Sequence, residues 1–227
     1  VFGLGAIKKN YPKNYKDVGI AEQESVAFAA GAVKEGITPV LFENSTFLQR
    51  AYDQLSHDVA ANDLPVVMIV AGGGITAASK THLGIFDNTM VANWPNWEYL
   101  APTTLNELKS MLEWAVKQRK HPVAIKSPVN PLPEGKVVSE DYSTIHYDVK
   151  SGSKVAIIGL GDFYQLGEKV DDLLKKDNIN ATLINPKSAA HLDTDTLDDL
   201  QKDHELVVTL EDNSIDGGFG QKVASYY

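Results

Sequence analysis

Asp17-Val18-Gly19-Ile20-Ala21-Glu22-Gln23-Glu24-Ser25-Val26-Ala27-Phe28 is the stretch around which the rest of the chain is organised. A short strand is expected to run into Gly19. A helix then opens with Glu22, Gln23 and Glu24 and continues as small apolar residues from Val26 to Val33. A helix that is apolar on most faces belongs in the centre of a layered domain or against a partner. The acids at its mouth have two readings. Glu22 and Glu24 complement the positive helix N-terminus, an effect worth roughly 0.3–1 kcal/mol, or one of them is a buried acid whose desolvation tunes it for chemistry. Periodicity alone favours the first reading.

Composition bounds the rest. A chain of 227 residues with 43% hydrophobic residues has enough apolar material for one large domain or two smaller ones, which excludes a disordered protein. A formal charge of −9 disfavours nonspecific binding to nucleic acid or to an anionic membrane surface. The absence of cysteine excludes disulfides and thiolate sites and suits a reducing compartment. No run of 18 apolar residues occurs, and the N-terminus lacks the order of a signal peptide, so a cytoplasmic location is expected. The chain opens on Val1-Phe2-Gly3 without Met and stops at Tyr227, inside an expected helix begun by Gly217-Gly218-Phe219-Gly220. Both ends therefore read as cut.

Strands and helices alternate along the chain. Thr38 to Phe42 is strand-like, and Thr46 to Ala61 reads as a helix with Phe47, Leu48, Ala51, Leu55 and Val59 as its apolar positions. Leu64 to Val70 is a continuous apolar run of the kind found in buried parallel strands. Ala71 to Met90 reads as a long polar, glycine-rich loop, a type of segment that is usually functional or disordered. A strand ending at Tyr99-Leu100-Ala101-Pro102, a helix over 104–118 and a strand at Val123-Ala124-Ile125 complete the first unit. Residues 127–152, with three prolines near their start, read as a linker. A second unit follows, with strands at 154–158, 181–184 and 206–210 and helices at 163–175 and 194–201. The expected class is α/β, a mostly parallel sheet with helices on both faces over 1–126 and a smaller α/β domain over 153–227.

Two motifs are set aside. Gly159-Leu160-Gly161 follows a strand and precedes a helix, but the third glycine position of a dinucleotide fingerprint is Tyr164, so a plain βα turn is expected. Asp171, Asp172, Asp193, Asp195, Asp198 and Asp199 lack calcium-ligand spacing and read as a solvated acidic surface, and the six histidines lack helical pairing for zinc.

A resemblance changes the weight of the two readings of Glu22. Gly19-Ile20-Ala21-Glu22-Gln23, Ser45-Thr46-Phe47-Leu48-Gln49-Arg50-Ala51-Tyr52-Asp53-Gln54, His57-Asp58-Val59-Ala60 and Thr81-His82-x-Gly84-x-Phe86-Asp87 are similar to the pyrimidine-binding domain of thiamine-diphosphate enzymes of the transketolase superfamily. Within it they resemble the 1-deoxy-D-xylulose-5-phosphate synthases. The last third of the chain resembles the transketolase C-terminal domain. The resemblance implies thiamine diphosphate, with Mg2+ held mainly by an upstream domain that this chain does not contain. It implies that Glu22 bonds the far ring nitrogen of the aminopyrimidine, that Phe47 stacks on that ring, that Ile20 and Arg50 lie near it, and that His82 acts near the thiazolium. Taken singly, Phe47 is core, Arg50 a surface cation and His82 an idle loop histidine. The motif as a whole favours the cofactor reading.

The chain departs from the family on the acceptor side. Asn44 stands where the family has Tyr before Ser-Thr-Phe, Glu24 where it has His, Val70-Ala71 where it has Asp-Arg, Ala78 where it has a loop aspartate, and Val129 where it has Arg. Losing two arginine forks removes charge-assisted hydrogen bonds of about 1.5–3 kcal/mol each. The resemblance therefore implies a transferase that joins a two-carbon unit from pyruvate or a related donor to an aldehyde, with altered acceptor recognition. Asn44, Lys80 and Lys126 are the candidate substrate contacts. An authentic synthase with a rearranged phosphate site and a non-catalytic partner subunit stay open. The expected partners are a diphosphate-binding domain and a second copy, at least a dimer, packed along the helix from Ala27 to Val33.

Overall fold

The computed structural model describes residues 3–75 and 80–227. After a short helix, α1 (Gly5–Asn10), the central stretch forms α2 (Glu22–Lys34) and leads into β1 (Val40–Asn44). The strand expected before Gly19 is not formed. The Asp17 carboxylate accepts the Gly19 N–H at 3.0 Å, and Gly19 sits at φ 75°, so the chain turns into α2 instead of extending. Nor is α2 buried all round. Val26, Ala29 and Ala30 enter the core, while Ala27, Phe28 and Gly31 on the opposite side are exposed.

The helix expected at 46–61 is continuous but irregular: a 3₁₀ segment (Ser45–Ala51), one α-turn, α3 (Tyr52–Gln54), and a π-helical segment (Leu55–Ala60). Leu48, Ala51, Leu55 and Val59 all point into the core, each large one contributing about 1.5–3 kcal/mol of burial. Then β2 (Val67–Gly73), α4 (Asp87–Val91), β3 (Glu98–Leu100), α5 (Leu105–Gln118) and β4 (Val123–Pro128) complete the first sheet. Its order is β1-β2-β4-β3, all parallel. β2 lies between β1 and β4 within the sheet, and its apolar run is explained by burial of Val67 to Val70 on both faces. Thr104 caps α5 by accepting the Glu107 N–H at 3.1 Å, while the Glu107 carboxylate accepts the Thr103 N–H at 2.6 Å.

The segment read as a linker is tied down. Leu105 N–H bonds Pro133 O at 2.8 Å, Tyr142 and Tyr147 are buried, and β5 (Asp148–Lys150) joins the second sheet antiparallel to the strand Thr182–Asn185. That sheet comprises β6 (Lys154–Gly159), β7 (Thr182–Asn185) and β8 (His204–Leu210), with α6 (Tyr164–Leu174), α7 (Thr194–Asp203) and α8 (Phe219–Tyr226), in the order β5-β7-β6-β8. Two of the six aspartates read as solvated are not. Asp171 is buried against Lys150 and Lys175, and Asp193 caps α7.

The two sheets meet edge to end. Ala101 N–H bonds Lys187 O at 2.7 Å, Ala189 N–H bonds Tyr99 O at 2.8 Å, and one hydrophobic core runs through both units. The expected α/β architecture with a smaller second α/β unit is therefore the observed one.

Candidate active site

Glu22 is the first residue of α2, and its side chain is 7% exposed. The 3₁₀ segment that begins directly after β1 turns Arg50 back over α2, where Arg50 Nη1 lies 2.8 Å from Glu22 Oε2. The contact is one of charge: Glu22 Oε2 is buried and makes no directed hydrogen bond. Arg50 keeps about half of its side chain open, 49% exposed, so the pair is a weak structural prop. A buried carboxylate oxygen with unused bonding capacity is what a ligand nitrogen needs.

The same 3₁₀ segment presents Phe47, half-buried, and the ring of His82 meets it edge-on with centroids 5.3 Å apart. His82 ends a second 3₁₀ turn (Lys80–His82), and its Nδ1 is 3.0 Å from Thr81 Oγ1. The loop is held in place by its backbone. Gly74 and Gly84 exchange two hydrogen bonds at 2.7 and 3.0 Å, and a Cβ at Gly84 would stand 2.6 Å from Ser45 Oγ. Only glycine lets the loop lie this close to the start of the Phe47 segment. The stretch read as one long loop thus contains the end of β2, a 3₁₀ turn and α4. Its residues 76–79, Ala78 among them, lie outside the described residues.

The structure therefore brings Glu22 to Arg50 and Phe47 to His82, along the ends of β1 and β2 where open parallel sheets place ligands. Ile20 stands in the turn before α2 and is 89% exposed. Lys80 is exposed beside His82. Asn44 serves the backbone: its Oδ1 accepts the Thr46 N–H at 3.1 Å and caps the 3₁₀ segment.

Lys126, expected as a phosphate contact, is instead held by carboxylates. Its Nζ is 3.5 Å from Asp87 Oδ2 and 3.4 Å from Asp212 Oδ1, and its side chain is 3% exposed. Burial opposes its charge, but Asp87, Asp212 and Asp162 outweigh it and hold its pKa above the ordinary lysine value. Tyr99 donates to Asp87 Oδ2 at 2.6 Å. Asp87 and Tyr99 come from the first unit and Asp212 from the second, so this cluster joins the two.

Sequence reasoning missed Glu43 and Ser25. Glu43 lies on β1 and contacts Ser25 of α2 through its carboxyl group. Burial raises the Glu43 pKa, the Ser25 hydrogen bond opposes this, and the charge of Glu22 adds to it. The available signal was an acid within the apolar strand Val40-Leu41-Phe42. Among the described residues, no three His, Asp or Glu side chains converge as a metal site, and no helix is long and apolar enough to cross a membrane.

Comparison with known proteins follows the same division of the chain. The family model described as the transketolase pyrimidine binding domain matches residues 3–134, and that of the transketolase C-terminal domain matches residues 145–227. The 1-deoxy-D-xylulose-5-phosphate synthase of Pseudoalteromonas translucida is 39% identical across 99% of this chain and 36% of its own length. That of Natranaerobius thermophilus is 38% identical across 97% of this chain and 36% of its own length. This chain thus spans about a third of the length of such relatives. A solved structure described as a split gene transketolase, an inactive β4 tetramer, superposes with a TM-score of 0.87 at 24% identity, covering 97% of this chain and 72% of that one. At that identity the likeness is one of fold.

Proposed function

The chain belongs to the transketolase family through its pyrimidine-binding and C-terminal domains, and from that premise we propose that it is part of a thiamine-diphosphate-dependent transferase. The reaction is that of the 1-deoxy-D-xylulose-5-phosphate synthases it resembles, joining a two-carbon unit from pyruvate or a related donor to an aldehyde. The observation that carries the reading is the buried Glu22 Oε2, which no directed hydrogen bond satisfies, with the half-buried ring of Phe47 on the same 3₁₀ segment as its partner Arg50. An aminopyrimidine fits both features, a ring nitrogen for the acid and a flat face for the ring.

When bound, thiamine diphosphate supplies a carbon nucleophile and an electron sink for the bond that breaks. Glu22 offers its carboxyl oxygen to the ring nitrogen, in a site that the core side of α2 screens from water. Arg50 supplies a positive charge beside the Glu22 carboxyl, and Phe47 seats the ring. His82, held against Phe47, is placed to exchange a proton with substrate at its imidazole. Mg2+ and the diphosphate belong to a domain outside this chain.

The acceptor side supports altered recognition. Val129, in place of the family arginine, is 44% exposed and apolar. Lys126 is engaged by two aspartates, which leaves the exposed Lys80 as the candidate phosphate contact. The exposed strip of Ala27, Phe28 and Gly31 on α2 supports pairing with a second copy, and the acidic, cysteine-free composition supports a cytoplasmic location.

The test is cofactor affinity and carbon dioxide release from pyruvate by the full-length protein, with glyceraldehyde and glyceraldehyde 3-phosphate as alternative acceptors. Glu22→Gln is expected to abolish cofactor-dependent release and to lower thiamine diphosphate affinity. Unchanged affinity in that variant refutes the role of Glu22. Release stimulated mainly by the phosphorylated aldehyde refutes altered acceptor recognition.

A further inference from the structure

Ser25 has one hydroxyl proton and two acceptors within reach. Its Oγ is 3.0 Å from the backbone carbonyl of Glu22, three residues back on α2, and it also contacts Glu43 Oε1 across to β1. A carbonyl accepts and never donates. One proton shared between two acceptors makes two weak bonds, whereas a protonated Glu43 carboxyl that donates to Ser25 Oγ, while Ser25 donates to the Glu22 carbonyl, gives each contact a proton of its own.

We propose that Glu43 is a positioning residue for the cofactor acid, a carboxyl group that keeps its proton, donates it in a hydrogen bond to Ser25, and so leaves Ser25 free to hold the first turn of α2 at Glu22. The surroundings agree with this. From α2, Glu22 faces Glu43 with a like charge, and Ser25 faces it with a hydroxyl. The Arg50 guanidinium of the following 3₁₀ segment is committed to Glu22. From β2, the register neighbour of Glu43 is Val70, which brings no charge. Burial raises the Glu43 pKa by more than the Ser25 hydrogen bond lowers it, and the Glu22 charge adds to the rise. Two carboxyl groups and one guanidinium are neutral overall when a single proton is retained, and Glu43, with no cation of its own, is the one of the two acids that keeps it under the proposal.

Ionising Glu43 has two consequences for the site. Ser25 then donates chiefly to the Glu43 carboxylate and its bond to the Glu22 carbonyl weakens, and a second negative charge stands beside the cofactor acid. The consequence for binding rests on the cofactor reading of Glu22; the protonation of Glu43 does not.

The experiment uses the full-length protein and three variants, Glu43→Gln, Glu43→Leu and Glu22→Gln. Difference infrared titration of the cofactor-free protein reads protonated carboxyl groups. A band that titrates above the ordinary carboxylate range and is missing in Glu43→Gln is expected; its absence from the wild type overturns the proposal. Thiamine diphosphate affinity is then followed against pH. The wild type is expected to lose affinity severalfold as Glu43 ionises. Glu43→Gln, whose amide still donates to Ser25, should keep the low-pH affinity without that step, and Glu43→Leu should bind more weakly at every pH. The ligand's own titration is common to all variants and cancels in the comparison. Should Glu43→Gln retain the wild-type step, Glu43 has no positioning role. Should Glu22→Gln bind as tightly as wild type while the infrared band persists, the cofactor reading fails and the protonated Glu43 stands.

Discussion

Two groups of charged residues lie in the first unit, and they use their charges in opposite ways. At the mouth of α2, Glu22 is buried but leaves an oxygen without a directed hydrogen bond, and Arg50 and His82 stay open to solvent. At the joint between the sheets, Lys126, Asp87 and Tyr99 are almost wholly buried, with Asp87 taking a tyrosine hydroxyl, a backbone N–H from Asn88 and the lysine charge. Neither Glu22 Oε2 nor Lys126 Nζ makes a directed hydrogen bond, so that feature alone does not tell the two apart. The charge partners of Lys126 are buried with it and tie the two units together, whereas the partner of Glu22 is half open to solvent. A buried charge is therefore not by itself a sign of chemistry; what separates site from scaffold is whether the groups around it are closed off with it or reachable from outside.

The largest effect that would test this contrast is expected at Lys126. Lys126→Met leaves Asp87 and Asp212 buried and unpaired, and is expected to destabilise the protein by about 3–5 kcal/mol in urea unfolding. Asp87→Asn in the same chain should return part of that loss, because it removes one of the stranded charges. A Lys126→Met protein that unfolds like wild type but binds the aldehyde acceptor poorly would erase the distinction and move Lys126 back into the substrate site.

A smaller effect, sensitive to pH, is expected at Glu98 on β3. Burial raises its pKa to about 7 from an ordinary 4.5, against the opposing hydrogen bonds from the Ser188 hydroxyl and the Tyr99 backbone and the charge of Lys222. The Ser188 bond is 2.6 Å long and crosses the joint, and His191 Nε2 lies 3.5 Å from the same carboxyl group. Between pH 4.5 and 7 the folded protein holds a proton that the unfolded chain has released. Stability from this group is thus full below the lower value and is lost as pH rises to the upper one, by up to about 3 kcal/mol. Melting temperatures across that window should fall in the wild type relative to Glu98→Gln. Parallel profiles would mean that the joint admits water and that Glu98 is ordinary.

The sequence made much of this legible, and what it hid has physical causes. Apolar runs such as Val66 to Val70 announce parallel strands because burial on both faces demands them, and the Gly-Ile-Ala-Glu and Ser-Thr-Phe-Leu-Gln-Arg motifs pointed to residues that the fold brings into two touching pairs. Distances across the joint were invisible. Asp87 and Asp212 are 125 positions apart, and nothing local marks Lys126 as their shared cation. The proline-rich segment looked like a linker because composition reports backbone stiffness, whereas its docking depends on Tyr142 and Tyr147 finding the core. Glu43 escaped notice because its partner is a serine on a helix that reads as apolar.

Asn44 sits where the contrast between site and scaffold is hardest to draw, and the smallest effect is expected there. It stands at a position where the resemblance leads one to look for a substrate contact, yet its Oδ1 already caps the 3₁₀ segment through the Thr46 N–H. Its Nδ2 is near Gly72, where an added Cβ would come within 3.3 Å. Asn44→Ala removes the cap and is expected to cost about 1 kcal/mol in unfolding, while Asn44→Asp, which keeps an accepting oxygen, should recover most of it. Because Phe47 rides on the capped segment, thiamine diphosphate affinity should weaken in Asn44→Ala and return in Asn44→Asp. If instead both variants raise the KM for the aldehyde equally and leave unfolding untouched, the amide Nδ2 is bonding the acceptor, and Asn44 belongs with Glu22 and Phe47 rather than with the scaffold that holds them.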